Sequence, residues 1–324
     1  MRKIFLLFLP MLICTSCTQT TRSEKNKEKE IAVPTFNSDS AYIFTARQVE
    51  FGARVPNTKA HNMCAVYLSG ELKRFGAEVI EQKANLTAFD GTILKSVNII
   101  GSFNSKAEAR ILLMSHWDSR PWADHDPDPA MRKKPVMAAN DGASGVGILL
   151  EMARLMAKAK PTVGVDIFFC DSEDYGQPEN ESGGSSENSW CLGTQYWAHS
   201  PHVSGYTARF GILLDMVGAS QATFYREQAS VYYAANVVEK VWSTAQSQGF
   251  GQFFSNEKGG AITDDHIFVN QITGIPTIDI IQYDSKTGGF GSYWHTTHDT
   301  MDKVDKATLN AVGTTLMHVV YNEK

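Results

Sequence analysis

The feature that most constrains the fold is an apolar run that ends abruptly in acidic residues. Residues 163–170 (VGVDIFFC) are followed directly by Asp171, and Glu173 and Asp174 come soon after. A run this rich in β-branched and aromatic residues predicts a buried strand whose carboxyl end opens into a crevice. Open α/β sheets bind ligands at that edge. Two adjacent acids repel each other, so they need solvent, a cation or a shared proton. For an isolated pair of acids, a solvated loop is the simplest interpretation.

Other segments repeat the alternation of strand and helix. Buried strands are predicted at 110–115, 209–214 and 276–281, extended segments at 78–86 and 93–103, and helices at 59–75, 141–159, 230–248 and 305–321. Strands that alternate with helices are typical of one α/β domain. We therefore predict a single-domain, doubly wound, mostly parallel central sheet flanked by helices.

Composition excludes some classes of function. The 324 residues are 43% hydrophobic and 20% charged, with a formal net charge of -5. These values are ordinary for a globular protein and give no reason to expect nucleic acid as a partner. We expect a monomer.

Residues 1–17 are predicted to be a signal peptide. The basic Arg2 precedes an apolar run at 4–13, which is too short for a stable transmembrane helix. Small residues directly before Cys17 are similar to a bacterial lipobox, although Cys14 stands where leucine is usual. We expect export to the bacterial periplasm and a lipid anchor at Cys17, the only membrane contact, with secretion lacking the lipid as the alternative.

The rest of the chain divides into a tether and a folded domain. Residues 18–36 are mostly polar and charged, which predicts a disordered tether, and residues 37–324 form the domain. Mature protein retains Cys64, Cys170 and Cys191. A disulfide between Cys170 and Cys191 would suit an oxidising compartment, and buried free thiols are the equal alternative.

Polar residues at strand ends and helix starts form the candidate site. They are His116, Asp118, Asp141, Glu173, Asp174, Asp215, Asp265 and His295. In a doubly wound sheet the carboxyl ends of neighbouring strands meet at one edge, so these residues can converge. Imidazole and carboxylate together, without thiolate, suit zinc held by three protein ligands with one open position.

Several of these motifs, in this order, resemble those of a known family. They are His-x-Asp (116–118), Asn-Asp-Gly (140–142), Glu-Asp (173–174), Asp215, Asp-His (265–266), Gly-Ile-Pro (274–276) and His-Thr-Thr-x-Asp-Thr (295–300). Over roughly residues 37–322 the chain resembles the zinc aminopeptidase superfamily. Within it, the chain is most similar to the animal-type glutaminyl-peptide cyclotransferases (glutaminyl cyclases) and their bacterial relatives.

The resemblance implies a cyclase with one zinc ion, which converts the N-terminal glutamine of a peptide or protein to pyroglutamate and releases ammonia. Zinc would be held by Asp141, Asp174 and His295. Glu173 would be the proton-transferring residue, beside an acidic network of Asp215 and Asp265.

Aromatic residues complete the implied pocket. Trp294 matches a cyclase pocket position, and Trp190 and Trp122 lie in loops next to ligands, so all three are candidate substrate-binding residues. Rim packing is their ordinary alternative role.

Other assignments remain open. A dizinc aminopeptidase of the same superfamily would use His116, Asp141, Asp174, Asp215 and His295 as ligands and Glu173 as general base. In the cyclase interpretation, His116 and Asp118 form a structural pair. His298 is the alternative to His295, and Asp264 is the alternative to Asp265. A non-catalytic exported binding protein is the third hypothesis.

Overall fold

The computed structural model describes Met1 and residues 32–178, 187–283 and 289–324. Apart from Met1, the predicted signal peptide, its Cys17 and the tether as far as residue 31 lie outside the described residues. So does the middle of the loop that follows the central strand. From residue 31 onwards the chain forms one compact unit.

A six-stranded mixed sheet forms the centre of this unit. Its strands, with a separate two-stranded pair β6–β7, are β1 Glu78–Thr87, β2 Ile93–Phe103, β3 Arg110–His116, β4 Gly164–Cys170, β5 Phe210–Asp215, β6 Phe224–Arg226, β7 Phe254–Lys258 and β8 Thr277–Ile281. The order is β1-β2-β4-β3-β5-β8. Strands β4, β3, β5 and β8 are parallel, whereas β1 and β2 are antiparallel to their neighbours. The α/β prediction is confirmed, and the antiparallel edge explains why the sheet is mixed.

Strand β4 is buried along its whole length because both faces of the sheet are covered. Alternate side chains point to opposite faces of a strand. Val165, Ile167 and Phe169 accordingly join the larger hydrophobic cluster, while Phe168 and Cys170 join the smaller cluster on the other side. The continuous apolar run in the sequence reflects this two-sided burial.

Helices cover the two faces. They are α1 Ser38–Val49, α2 Lys59–Arg74, α3 Ala143–Met156, α4 Leu192–His199, α5 Gln228–Ser247, α6 Asp265–Phe268 and α7 Lys306–Asn322. Helix α3 contacts α1, α7 and β3, and Gly147 allows the close approach to α1, because a Cβ atom there would lie 2.1 Å from Thr45 Oγ1. Among the described residues, none of the helices combines the length and apolar character needed to cross a membrane.

Predicted and observed elements agree for the long segments and differ for the short ones. The helices predicted at 59–75, 230–248 and 305–321 correspond to α2, α5 and α7. Strands β6 and β7 and helices α4 and α6 have no counterpart among the predicted elements. These elements are short, and tertiary contacts fix them more than local sequence does.

Candidate active site

The predicted site residues meet at the carboxyl edge of the sheet. His116 ends β3, Asp215 ends β5, and Glu173 and Asp174 follow β4, while Asp141 directly precedes the N-terminus of α3. A cavity of about 440 Å³ opens here. Its lining includes Glu173, Trp190, Asp215, Asp264, Tyr283, Phe290, Trp294 and His295.

Asp141, Asp174 and His295 form a triad suited to a metal ion. His295 Nε2 lies 3.3 Å from Asp174 Oδ1 and 3.7 Å from Asp141 Oδ2. Ligand atoms about 2.0–2.1 Å from a tetrahedral zinc ion lie roughly 3.3 Å from one another. Both carboxylate oxygens of Asp174 are buried without a hydrogen-bond partner among the described residues. Arg120 Nη1 lies 3.6 Å from Oδ1, too far for a hydrogen bond. A buried carboxylate without a hydrogen bond needs a further cation or a proton, so this donor set fits zinc.

The electrostatic setting keeps His295 neutral. Burial lowers its pKa well below the ordinary value, and the charges of Arg120, His125 and His116 act in the same direction. A neutral imidazole can offer a lone pair to a metal. Burial and the neighbouring Asp141 raise the pKa of Asp174 well above its ordinary value. A cation at the triad would relieve this cost.

A second triad shares Asp141. His116 Nε2 lies 3.0 Å from Asp141 Oδ1 and 3.1 Å from Asp215 Oδ1, and the three donor atoms lie within 4.8 Å of one another. These separations are those of direct hydrogen bonds. Burial lowers the pKa of His116, but the neighbouring carboxylates of Asp118, Asp141 and Asp215 outweigh burial and raise it well above the ordinary value. His116 therefore interacts with the acids as a proton donor in this arrangement.

Two further carboxylates hold the ligand-bearing backbone. Asp118 accepts hydrogen bonds from the amides of Glu173 and Asp174, at 3.1 and 3.2 Å. Asp299 accepts from the amides of Asn140 and Asp141, at 2.8 and 3.0 Å. Such second partners fix the orientation of metal ligands. The motif at 295–300 thus contains the candidate ligand His295 and also Asp299, which supports the candidate ligand Asp141.

Four residues around the cavity have strained backbone. Ser172, Cys191, Met216 and His295 have positive φ angles of 55°, 57°, 47° and 53°. Non-glycine residues rarely adopt this region, and they do so mainly where the surrounding structure enforces it. Three of these residues neighbour Glu173, Asp215 or Trp190, and His295 is itself a candidate ligand. The strained residues therefore include a candidate ligand and direct sequence neighbours of candidate site residues.

Glu173 lies in the cavity among other acids. Burial raises its pKa well above the ordinary value; His116 opposes the shift, while Asp174 and Asp264 add to it. The Cys191 thiol donates to Glu173 Oε1 at 3.5 Å. A carboxylate with a raised pKa in a buried cavity is suited to proton transfer.

Asp264 and Asp265 both lie in the acidic surroundings of Glu173, and both raise its pKa. Asp264 lines the cavity, and one of its carboxylate oxygens lies within 4.8 Å of Glu173 and Cys191 donor atoms. Asp265 begins α6, is fully buried, and raises the pKa of the Cys191 thiol as well. That Asp265 belongs to the acidic network therefore stays a prediction, and its neighbour Asp264 is the one that lines the cavity.

Two of the three predicted tryptophans form the cavity wall. Trp294 stacks on His295 with ring centroids 3.8 Å apart, and Trp190 lies parallel to His295 at 5.9 Å. Trp122 does not line the cavity; it packs edge-on against Phe89 and Tyr175. Its predicted role as a substrate-binding residue stays a prediction.

Comparison with family models identifies the superfamily branch. The model described as peptidase family M28 matches residues 98–320. The chain belongs to peptidase family M28. This match covers the strands and loops that carry the two triads, and it confirms the superfamily resemblance drawn from the motifs.

Known structures place this M28 chain near bacterial glutaminyl cyclases. It is 53% identical to Bacteroides thetaiotaomicron glutaminyl cyclase bound to N-acetylhistamine, with a TM-score of 0.89 over 90% of this chain and 100% of that one. It is 56% identical to a Zn-dependent exopeptidase from Parabacteroides distasonis, with a TM-score of 0.88 and the same coverage.

A curated relative is more distant. Bovine glutaminyl-peptide cyclotransferase is 24% identical over 66% of this M28 chain and 62% of its own length. The chain spans about three fifths of the length of the first curated relatives it matches.

Some residues of this M28 site were not found from the sequence. Arg120 and Asp124 lie beside the metal triad, and Arg120 is fully buried. The four-residue spacing of this acid–base pair was the available signal. Cys170 and Cys191 are both free thiols, so of the two alternatives the structure has the unpaired one.

Proposed function

We propose that this chain is a zinc-dependent glutaminyl-peptide cyclotransferase. One observation carries the proposal: a mono-metal triad, a proton-transferring Glu173 and an aromatic wall share one cavity, in a chain 53% identical to a bacterial glutaminyl cyclase. The substrate is a peptide or protein with an N-terminal glutamine. Its α-amine attacks the side-chain carbonyl carbon, the carbon–nitrogen bond of the carboxamide breaks, and pyroglutamyl peptide and ammonia leave.

Glu173 moves the proton that balances this reaction. The attacking amine loses one proton and the departing amide nitrogen gains one, so a single carboxylate can take it and then return it. Its raised pKa makes the Glu173 carboxylate a stronger acceptor than an exposed one. Lewis acidity for the γ-carboxamide oxygen would come from zinc held by Asp141, Asp174 and His295.

The remaining cavity residues hold the substrate and exclude water. Trp190 and Trp294 flank His295 and line the same cavity. Asp215 and Asp264 face the same space and can accept hydrogen bonds from the substrate amine. An aromatic wall around the bound side chain favours attack by the tethered amine over attack by water.

We propose one zinc ion per chain. His116 Nε2 is at hydrogen-bond distance from both Asp141 and Asp215, so the second triad is already satisfied by a proton donor. By contrast, the oxygens of Asp174 have no hydrogen-bond partner among the residues the structure describes. This difference supports occupation of the first triad alone.

Ammonia release from a Gln-initiated peptide tests the function. Wild-type protein should release ammonia and form pyroglutamate, and Glu173→Gln should lower kcat by about 10²-fold or more, the range for loss of a general acid–base group. Glu151→Gln is the matched control, because Glu151 is also buried but pairs with Arg154 on α3. Full activity of Glu173→Gln would exclude the mechanism.

The second candidate is a dizinc aminopeptidase. It is favoured by the shared Asp141 of the two triads, which is the position a bridging ligand would take. Two zinc ions per chain, together with release of leucine from a Leu-initiated peptide, would establish it over the cyclase. If zinc-loaded protein releases neither ammonia nor a free amino acid, the remaining hypothesis is a binding function without catalysis.

We also propose export to the periplasm, a lipid at Cys17 and a monomeric state. The support is the basic, apolar and small-residue pattern of residues 1–17. Fractionation of cells expressing wild type and Cys17→Ala tests the anchor: the variant should move from the membrane to the soluble fraction. Light scattering on that soluble form should give the mass of one chain.

A further inference from the structure

We propose that Arg120 is a positioning residue that couples retention of the metal ion to the shape of the substrate pocket. Arg120 precedes α3 in the chain and makes two kinds of contact. Its contacts with Asp124 and the Asp174 segment, which support the metal triad, are called the metal arm, and its contact with Trp190 in the aromatic wall is called the pocket arm. Only the pocket arm of the inference rests on the proposed function.

All sides of the Arg120 guanidinium group are occupied. The side chain is fully buried, and its Nε and Nη2 atoms donate to the two carboxylate oxygens of Asp124 at 2.6 and 2.7 Å. Nη1 donates to the backbone carbonyls of Asp174 and Gly176 at 3.0 and 3.3 Å. Two parallel bonds to a carboxylate fix both the distance and the plane of the group. Arg120 is therefore held rigidly against the segment that carries Asp174.

The metal arm runs through Asp124. Its Oδ1 lies 3.7 Å from His295 Nδ1, and this nitrogen has no hydrogen-bond partner among the described residues. A carboxylate behind the second nitrogen orients a metal-binding histidine and increases its basicity. The same loop also binds the His295 segment through the backbone, because His125 N donates to His295 O at 3.1 Å. Arg120 sets the plane of Asp124, and Asp124 in turn faces His295.

The pocket arm runs through Trp190. The guanidinium carbon of Arg120 lies 4.6 Å from the centre of the Trp190 ring. On Gly176, whose carbonyl Arg120 also binds, a Cβ atom would lie 2.0 Å from a Trp190 ring atom, so the indole packs directly on the glycine. Arg120 and Gly176 together hold the ring parallel to His295, at an interplanar angle of 10°. The Arg120 side chain therefore takes part in both the metal arm and the pocket arm.

Lysine could not take both roles. Its ammonium group is a compact point charge that cannot bind Asp124 with two parallel bonds and stack on Trp190 at the same time. Arg120→Lys keeps the charge and much of the volume, so it tests geometry rather than charge. Asp124→Asn keeps the shape of the metal arm and leaves the stack on Trp190 in place.

Arg110→Lys is the matched control. Arg110 binds Asp166 with the same two parallel bonds, at 2.6 Å each, but at the start of β3, away from the cavity. It reports what loss of a partly buried arginine–aspartate pair does to the fold as a whole.

The experiment measures zinc affinity by competition with a chelator, and KM for a Gln-initiated peptide at saturating zinc. Arg120→Lys should weaken zinc binding by about tenfold or more, as expected for partners of metal ligands. It should also raise KM by about threefold to tenfold, the range for loss of a buried cation–π contact. Asp124→Asn should weaken zinc binding similarly with KM within about twofold. Arg110→Lys should change neither quantity.

The results that would overturn the coupling differ from those that would overturn the proposed function. Wild-type zinc affinity in Arg120→Lys, or weakened zinc binding with an unchanged KM, would overturn the coupling. If Arg120→Lys does not fold, Asp124→Asn decides: zinc bound as tightly as in wild type overturns the proposal, and a tenfold loss supports it. If wild type has no cyclase activity, the proposed function fails, but the zinc measurement still tests the metal arm. Acrylamide quenching of tryptophan fluorescence then replaces KM, and Trp190→Phe identifies the part of the signal that belongs to Trp190.

Discussion

Glu227 provides a stability prediction whose size follows from the structure. Its carboxylate caps α5 by accepting the amides of Ala229 and Ser230, and it also accepts the Ile262 amide at 3.1 Å. Burial raises its pKa, but His266 and the helix amides outweigh burial and lower it from 4.5 to about 2. The folded state therefore prefers the ionised form.

The sign and size of the effect follow from linkage. Because the folded pKa lies below the unfolded one, the stabilisation is complete above about pH 4.5 and is lost as the pH falls towards 2. At about 1.36 kcal/mol per pKa unit, the charge contributes roughly 3 kcal/mol at neutral pH and roughly 1.4 kcal/mol near pH 3. Glu227→Gln keeps the shape and removes the charge, so it should lose this contribution.

Urea unfolding of wild type and Glu227→Gln at several pH values measures the difference. It should be near 3 kcal/mol at about pH 7 and should shrink by more than half near pH 3. Glu239→Gln, on the same helix but with a side chain 63% exposed, is the control and should change stability by less than about 0.5 kcal/mol. A difference below about 1 kcal/mol at neutral pH, or one that does not vary with pH, would refute the reasoning.

Two further predictions concern the site. In Gly176→Ala the new Cβ would lie 2.0 Å from the Trp190 ring, so the indole should move. KM for a Gln-initiated peptide, measured at saturating zinc, should therefore rise. An unchanged KM would show that Trp190 is not part of the substrate wall. In Asp299→Asn one of the two oxygens that accept the amides of Asn140 and Asp141 becomes an amide nitrogen, which cannot accept. Zinc affinity by chelator competition should therefore fall about tenfold, and wild-type affinity would contradict the support role.

The main strands and the gathering of site residues could be predicted because both depend on local pattern. The run at 163–170 is apolar on both faces since Phe168 and Phe169 enter different hydrophobic clusters. Its parallel neighbours place His116 and Asp215 at the same edge of the sheet. Only the general direction of parallel strands was needed for that conclusion.

The details that the sequence does not decide concern side chains whose direction is set by contacts distant in sequence. Asp264 and Asp265 are neighbours that both raise the pKa of Glu173, and the sequence does not show that Asp264 lines the cavity. Arg120 was missed because its carbonyl partner on Asp174 is 54 residues away. Trp122 stands next to ligands in sequence, yet its ring packs against Phe89 and Tyr175. Proximity along the chain does not fix the direction of a side chain.

The buried acids support the proposal that a cation occupies one triad rather than the other. His116 faces Asp141 and Asp215, so its proton can offset part of their charge. Asp174 Oδ1 faces the neutral His295 at 3.3 Å and the Arg120 guanidinium at 3.6 Å, and this guanidinium already binds Asp124 and two carbonyls. Burial of a carboxylate without a dedicated partner is costly. Zinc held by Asp141, Asp174 and His295 would remove that cost and would leave Glu173, the adjacent acid, free to carry a proton.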